Sequence, residues 1–278
     1  MIFGSFTSAP AAPSAGQSAQ LARLPLPLRG WLSQAARWAI ALVLAAVAWE
    51  ALVVALAVKP QYVPRLSLIL QAVVATPQPY VAGFLRTMAE ALIGFVAGAV
   101  FGVSVGVLFH RRQLLREMVF PLFVISQTIP VIAFGALVVL WFGNTLMAKA
   151  IIAFYVTFFP VTVHALLGLK AVDPARIALM RSFGAGPHQL LWRLQLPSAL
   201  PQIFVALRLA AALSLVGAIV GEWFGDTVGL GVLLLQAMFN ENPVGLWAAL
   251  LGCALLGTLF YGCVAALEKR IVFWGAEQ

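Results

Sequence analysis

The chain has 278 residues, of which 63% are hydrophobic and 9% charged, and it carries a formal net charge of +8. Soluble domains carry roughly 25% charged residues, so water cannot be the solvent for most of this surface and lipid must be. In such a chain the basic excess speaks through its position along the topology and does not point to nucleic acid.

Residues 1–37 are rich in Ala, Pro, Ser and Gln, with Arg23, Arg29 and Arg37 and no acidic residue. No continuous apolar run leads to a cleavage-like site, so a signal peptide is not expected. A disordered basic tail with an amphipathic end at Leu28, Trp31 and Leu32 is expected instead.

From residue 38 onward six stretches are apolar for about the 17–25 residues that a spanning helix needs: 38–58, 88–109, 119–141, 150–169, 203–221 and 245–267. The first carries Glu50. In the second, Gly94, Gly98, Gly102 and Gly106 repeat every four residues along one face, which lets another helix backbone come close. Arg86 stands one turn before Glu90, the spacing of an i, i+4 ion pair. The third holds Pro121 and Pro130, with Gln127 and Thr128 just before the second proline, and the fourth holds Pro160. Such prolines are tolerated where neighbours satisfy the freed carbonyls. The fifth carries the small-residue theme again at Gly217 and Gly221, encloses Arg208, and ends at Glu222 beside Trp223. Cys253 and Cys263 lie in the sixth, on different helix faces, too far apart for a disulfide.

Polar side chains inside lipid are costly and mark function by default. Gln127, Thr128 and Glu222 are therefore the candidates for lining a translocation path. An unpaired Glu222 at an opening would repel anions, which favours a neutral or weakly polar organic solute.

The basic residues fall unequally in alternate connections. Twelve (Arg23, Arg29, Arg37, Arg111, Arg112, Arg116, Lys170, Arg176, Arg181, Arg193, Lys269 and Arg270) lie on one side, and four (Lys59, Arg65, Arg86 and Lys149) on the other. The positive-inside rule puts the twelve, both termini included, in the cytoplasm.

One segment breaks the apolar pattern: "RSFGAGPHQLLWRLQLP", residues 181–197. Asp173 and Pro174 make an N-cap and a first helical turn. Ile177, Met180 and Phe183 share a face, Gly184 and Gly186 break the helix, and Pro187 opens a second. Leu190, Leu191 and Leu194 give that second helix an apolar side, and Leu196–Pro197 is expected to end it. The result is a helix–Gly–helix elbow, too short and too polar to cross a bilayer. It could lie on anionic lipid or dock into a groove of another protein. No G-x-x-x-x-G-K-[ST] phosphate loop, G-x-S-x-G elbow or clustered metal-ligand spacing occurs, so neither ATP binding in this chain, nor an enzyme, nor a metal site is expected.

The elbow resembles the cytoplasmic coupling loop of ABC importer permeases, in which Glu-Ala-Ala is followed by three residues, Gly, nine residues and Ile-x-Leu-Pro. Here Gly184 is followed by nine residues and then Leu194-Gln195-Leu196-Pro197, so the spacing is intact. "LPSALPQIFVALRLA" and "GAIVGEWFGDTVGLG" also resemble the permeases for nitrate, sulfonate, taurine and pyrimidine vitamin precursors, with "LMRSFGA" and "GEWFG" nearer the pyrimidine-precursor and riboflavin branch. The chain departs from the family at Ala178, Leu179 and Met180, where Glu-Ala-Ala would stand. The resemblance implies an all-α polytopic fold of six transmembrane helices (a type I ABC importer transmembrane domain) over 38–278, with its core about 85–270 and its coupling loop at 173–197. It implies a bacterial inner-membrane permease working with two cytoplasmic ATPase subunits that bind ATP and Mg, a second permease copy, and a periplasmic or lipid-anchored solute-binding protein. Met180, Arg181, Phe183, Gly184, Leu190, Leu194, Leu196 and Pro197 are then the expected ATPase-coupling residues. A stand-alone secondary transporter would be expected to show inverted repeats, and none is evident between 38–141 and 150–267.

Overall fold

A computed structural model describes residues 26–275, with side chains described at Arg37 and from Ala39 on. Every regular element among them is helical. Residues 1–25 of the expected tail lie outside the described residues. Helix α1 (Leu26–Ala55) begins inside the stretch read as tail and is a unit to itself, separate from the unit that starts at Ala57.

The second unit holds α2 (Leu66–Ala75), α3 (Pro77–Arg111), α4 (Gln113–Ser126), α5 (Val131–Phe142) and α6 (Leu146–Lys170). It continues with α7 (Pro174–Ser182), α8 (Pro187–Leu190), α9 (Leu196–Glu222), α10 (Leu230–Phe239) and α11 (Pro243–Ile271). Four helical stretches among the described residues are long and apolar enough to cross a membrane: Pro77–Arg111, Leu146–Lys170, Pro187–Glu222 and Pro243–Ile271. A fifth exists if α4 and α5 count as one broken span, and the apolar part of α1, Ala39–Ala55, is shorter.

The core is a three-helix stack with α6 in the middle. A methyl group added at Gly98 would sit 2.7 Å from Thr157 Cβ, one at Gly102 2.7 Å from the Phe158 carbonyl, and one at Gly106 2.7 Å from Ala165 Cβ. On a neighbouring face of α6, a methyl at Gly217 would lie 2.7 Å from Ala153 Cα and one at Gly221 2.9 Å from Lys149 Cγ. Both glycine faces thus press on the same helix, where backbone contact replaces the hydrophobic drive that lipid does not supply. Ala165, Leu169, Leu191, Ala199 and Ile203 close the stack at its elbow end. His164 and Gln202 are hydrogen-bonded there at 2.9 Å. Arg208, left inside a span by the sequence, pairs with Glu268 of α11 at 3.3 Å.

Two expectations are corrected. The third span is not one helix: α4 stops at Ser126, α5 starts at Val131, and their axes differ by 94°. Pro121 is carried within α4, whereas Pro130 caps α5. A residue before proline is pushed out of the α region, and that ends the helix here. Nor does Leu196–Pro197 end the second elbow helix. Residues 191–195 widen into a π turn in which Leu196 N–H bonds the Leu191 carbonyl, and the helix runs on for 36 residues from Pro187 to Glu222. The wider turn takes Pro197, which has no N–H to give and whose ring would strike the carbonyl four residues back in a regular α-helix.

Candidate functional site

The elbow is built by local chain chemistry. Asp173 accepts the Ala175 N–H at 2.8 Å and starts α7. At the other end Ala185 N–H bonds the Met180 carbonyl at 3.1 Å and Gly184 N–H bonds that of Arg181 at 2.9 Å. This 6→1 and 5→2 pair is a Schellman stop, with Gly184 at φ +78° in the left-handed position that glycine occupies without penalty. Gly186 N–H then bonds Gln189 Oε1 at 3.1 Å, and Pro187 opens α8.

The expected coupling residues separate into two groups. Arg181, Phe183 and Gly184 are exposed, Phe183 to 82%, and Leu179 joins them; Met180 is half-buried. Leu190 is buried at 4%, and Leu194, Leu196 and Pro197 are half-buried, Leu196 against the core. Leu190 therefore offers no surface to a partner in this structure. The outward apolar points are Leu179, Phe183 and Trp192, with His188 beside Trp192 at 6.1 Å between ring centroids.

At the α4–α5 break, Gln127 is half-buried and Thr128 exposed. Thr128 bonds the Ile125 carbonyl at 2.8 Å, and Gln127 Nε2 lies 3.4 Å from Ser126 Oγ. The freed carbonyls are met by Tyr155 of α6, whose hydroxyl donates to the Ser126 carbonyl and reaches that of Ile129 at 3.3 Å. Tyr155 also stacks on Phe134 of α5, centroids 4.0 Å apart. One α6 side chain thus holds both arms of the break.

Glu222 lies elsewhere, at the end of α9 farthest from the elbow, and the reading of it as an exposed charge at an opening is corrected. Its side chain is fully buried. Thr87 of α3 donates to Oε1 at 2.5 Å, and the Gly231 N–H of α10 donates to Oε2 at 2.6 Å. Leu230 N–H in turn donates to Thr87 Oγ1 at 2.9 Å. A buried carboxylate is affordable only with such directed donors, and its charge no longer faces any solute. Glu222 therefore gives no preference against anionic solutes.

Around it stand two ion pairs. Arg86 and Glu90 make the expected i, i+4 pair at 2.8 Å, with Glu90 buried. Lys149, buried on α6, lies 2.9 Å from Asp226 and donates to Asn144, which itself donates to the Gly225 carbonyl. Burial pushes the Asp226 carboxyl upward, but the Lys149 hydrogen bond, the Thr227 N–H and the Lys149 charge outweigh it and hold the group below the usual carboxylate range. Thr87, Lys149, Tyr155 and Asp226 were not singled out from the sequence. The one available signal was Lys149, a lone charge in an apolar run.

A model of the family described as binding-protein-dependent transport system inner membrane component matches residues 94–273. The formylaminopyrimidine transport permease protein of Halalkalibacterium halodurans is 36% identical over 192 residues, covering 69% of this chain and 77% of that protein. The riboflavin transport system permease protein of Chloroflexus aurantiacus is 31% identical over 69% of this chain and 72% of its own. The taurine transport system permease protein of Escherichia coli is 28% identical over 79% and 82%. Among solved structures, an inward-facing MetNI methionine ABC transporter superposes with a TM-score of 0.62 at 19% identity, covering 71% of this chain and 98% of that one.

Proposed function

This chain belongs to the binding-protein-dependent transport system inner membrane components, the permeases of ABC importers, and from that premise we propose how it couples and what it carries. Residues 175–196 dock into a groove of a cytoplasmic ATPase subunit, with Leu179, Arg181 and Phe183 as the contact. The ATPase, present in two copies, binds the ATP and Mg that this chain has no phosphate loop to hold. Two permease copies pair around the path, and a periplasmic or lipid-anchored binding protein delivers the solute. Both termini and the elbow face the cytoplasm, as the twelve-to-four distribution of basic residues supports.

The observation that carries this reading is the elbow. A short, exposed, apolar-tipped helix is stopped by a Schellman motif and joined to a continuous helix of 36 residues that enters the core. A push on Phe183 is delivered to the bundle with no flexible link after Gly186. The missing acidic residue at Ala178 leaves Arg181 and Arg176 to supply the polar part of the contact, so an acidic ATPase groove fits best.

The solute proposed is a pyrimidine vitamin precursor or a riboflavin-like compound, on the strength of the relatives at 36% and 31% identity. The taurine permease aligns over more of the chain at lower identity, which makes a sulfonate the second reading. Unwound backbone inside a membrane lines a cavity or is covered by protein, and Gln127 and Thr128 at the α4–α5 break are the proposed path positions.

Gly184→Val tests the coupling claim. A β-branched residue at φ +78° is strained by about 1–3 kcal/mol, although the space around it is open. Co-purification of the ATPase should fall about tenfold or more, and uptake with it. Gly186→Ala, in open space at φ −75°, should behave as the parent. Parental ATPase recovery and uptake in Gly184→Val would count against the elbow. For the solute, the thermal shift of the co-purifying binding protein with formylaminopyrimidine, riboflavin and taurine decides between the two readings.

A further inference from the structure

Helix α10 begins with no cap of its own. Its N-cap is Gly229, which has no side chain to offer, yet its first two amides are satisfied. Leu230 N–H is taken by Thr87 of α3 and Gly231 N–H by Glu222 of α9. The Thr87 hydroxyl, having accepted from Leu230, donates to Glu222 Oε1, so the three groups form one closed relay. Both side chains are fully buried. Glycines make the approach possible. A methyl at Gly231 would lie 2.7 Å from Glu222 Oε2, one at Gly229 would run into the same carboxylate, and one at Gly83 would lie 3.0 Å from the Gly229 carbonyl carbon.

The electrostatics point the same way. Arg86 pairs with Glu90 and Lys149 with Asp226, while Glu222, which also meets the Glu90 carboxyl, takes its donors from the Thr87 hydroxyl and the Gly231 amide of α10, whose helix dipole favours an anion. Glu222 is also the last residue of the continuous helix that starts at the elbow. We propose that Thr87 and Glu222 are positioning residues for transport: they cap α10 in trans and fasten it to α9, so that movement entering at the elbow reaches α10 as one body.

The functional arm of the test rests on the ATPase partnership proposed above; the structural arm does not. With the permease in lipid nanodiscs, Thr87→Val removes the hydroxyl at constant shape and leaves two buried groups unpaired. Amide exchange at Leu230 and Gly231 should rise roughly tenfold or more, and Thr87→Ser should restore it to within about threefold of the parent. Parental exchange in Thr87→Val would overturn the cap. In the permease–ATPase complex, Thr87→Val should keep basal ATP hydrolysis within about twofold, lose about tenfold of its stimulation by binding protein, and regain it in Thr87→Ser. Basal and stimulated hydrolysis falling together, in step with folded complex, would overturn the positioning role.

Should Thr87→Val not fold, spin labels on the exposed Leu209 and Phe239 of the otherwise unaltered chain decide. A separation that stays constant with and without ATP supports one body, and a change beyond about 5 Å, one helical turn, overturns it. A parent complex with no stimulated hydrolysis would sink the ATPase partnership and leave the cap to the exchange arm.

Discussion

A methyl group at position 94 has no room: it would lie 2.6 Å from the Ala150 carbonyl, deep in the α3–α6 seam. Overpacking of this kind costs about 1–3 kcal/mol. Gly94→Ala should therefore lower the melting temperature in detergent, while Gly262→Ala on α11, with open space around it, should leave it unchanged or slightly raised by the better helix former. Equal melting curves for the two variants would show that the seam can yield. Asp226 gives a pH test. Because its folded pKa is depressed, its stabilising contribution is present above the unfolded value near 3.9 and is lost as pH falls through the folded one. Asp226→Asn should melt earlier than the parent at pH 7, and the gap should close below about pH 3.9. A gap that persists in acid would mean that the carboxylate charge is not what Lys149 holds. At this scale the glycines were legible, because a four-residue spacing is visible in one helix. The setting of Glu222 was not: its partners stand 135 positions away at Thr87 and beyond a turn at Gly231, and sequence spacing carries no trace of a cap supplied by another helix.

Between elements, the two departures from the sequence both come from proline. Pro121 and Pro130 look alike in a hydropathy trace, and so does Pro197 at the end of the elbow. What separates them is who takes the orphaned carbonyls. At Pro130 it is Tyr155, reaching from another helix; at Pro197 it is a local π turn that keeps the helix whole. Neither solution is written in the neighbouring residues. Tyr155→Phe should leave the Ser126 carbonyl with only the Ile129 N–H at 3.3 Å, a lost hydrogen bond worth about 0.5–1.5 kcal/mol. It should raise amide exchange over 126–131 and lower uptake. Unchanged exchange there would show that the break holds itself. The elbow was legible because its signals are local: Asp173–Pro174, Gly184, Gly186–Pro187. That its apolar side turns inward was not, since Leu190, Leu191 and Leu194 would serve a partner's groove equally well and only the fold decides that Leu190 and Leu191 are covered.

For the whole molecule, the three-helix stack of α3, α6 and α9 follows from two glycine faces that could each be read from sequence. That they share one partner, α6, could not be. The orientation proposed from charge is open to direct test. Cysteines placed at Asn144 or Asn240, both in connections at the end opposite the elbow, should react with an impermeant thiol reagent in intact cells, and one at Gln113 should not. The reverse pattern would turn the chain over in the membrane and move the ATPase contact away from the elbow.

Helix α3 has 35 residues and the stretch from Pro187 to Glu222 has 36, so each is about 50 Å long against a hydrocarbon layer of about 30 Å. Neither can be hidden by tilt alone, since even a 40° lean leaves a rise of about 38 Å. The overhang sits at the two ends, towards the elbow and towards the relay; the α3 seam at Gly94–Gly106 lies between them, and Gly217 and Gly221 fasten α9 to α6 beside the relay. A thicker or thinner bilayer then slides along the rods without changing which residues touch. The α3–α6–α9 stack should keep its melting temperature across lipids of differing chain length, a tolerance that spans cut to match the bilayer would not share.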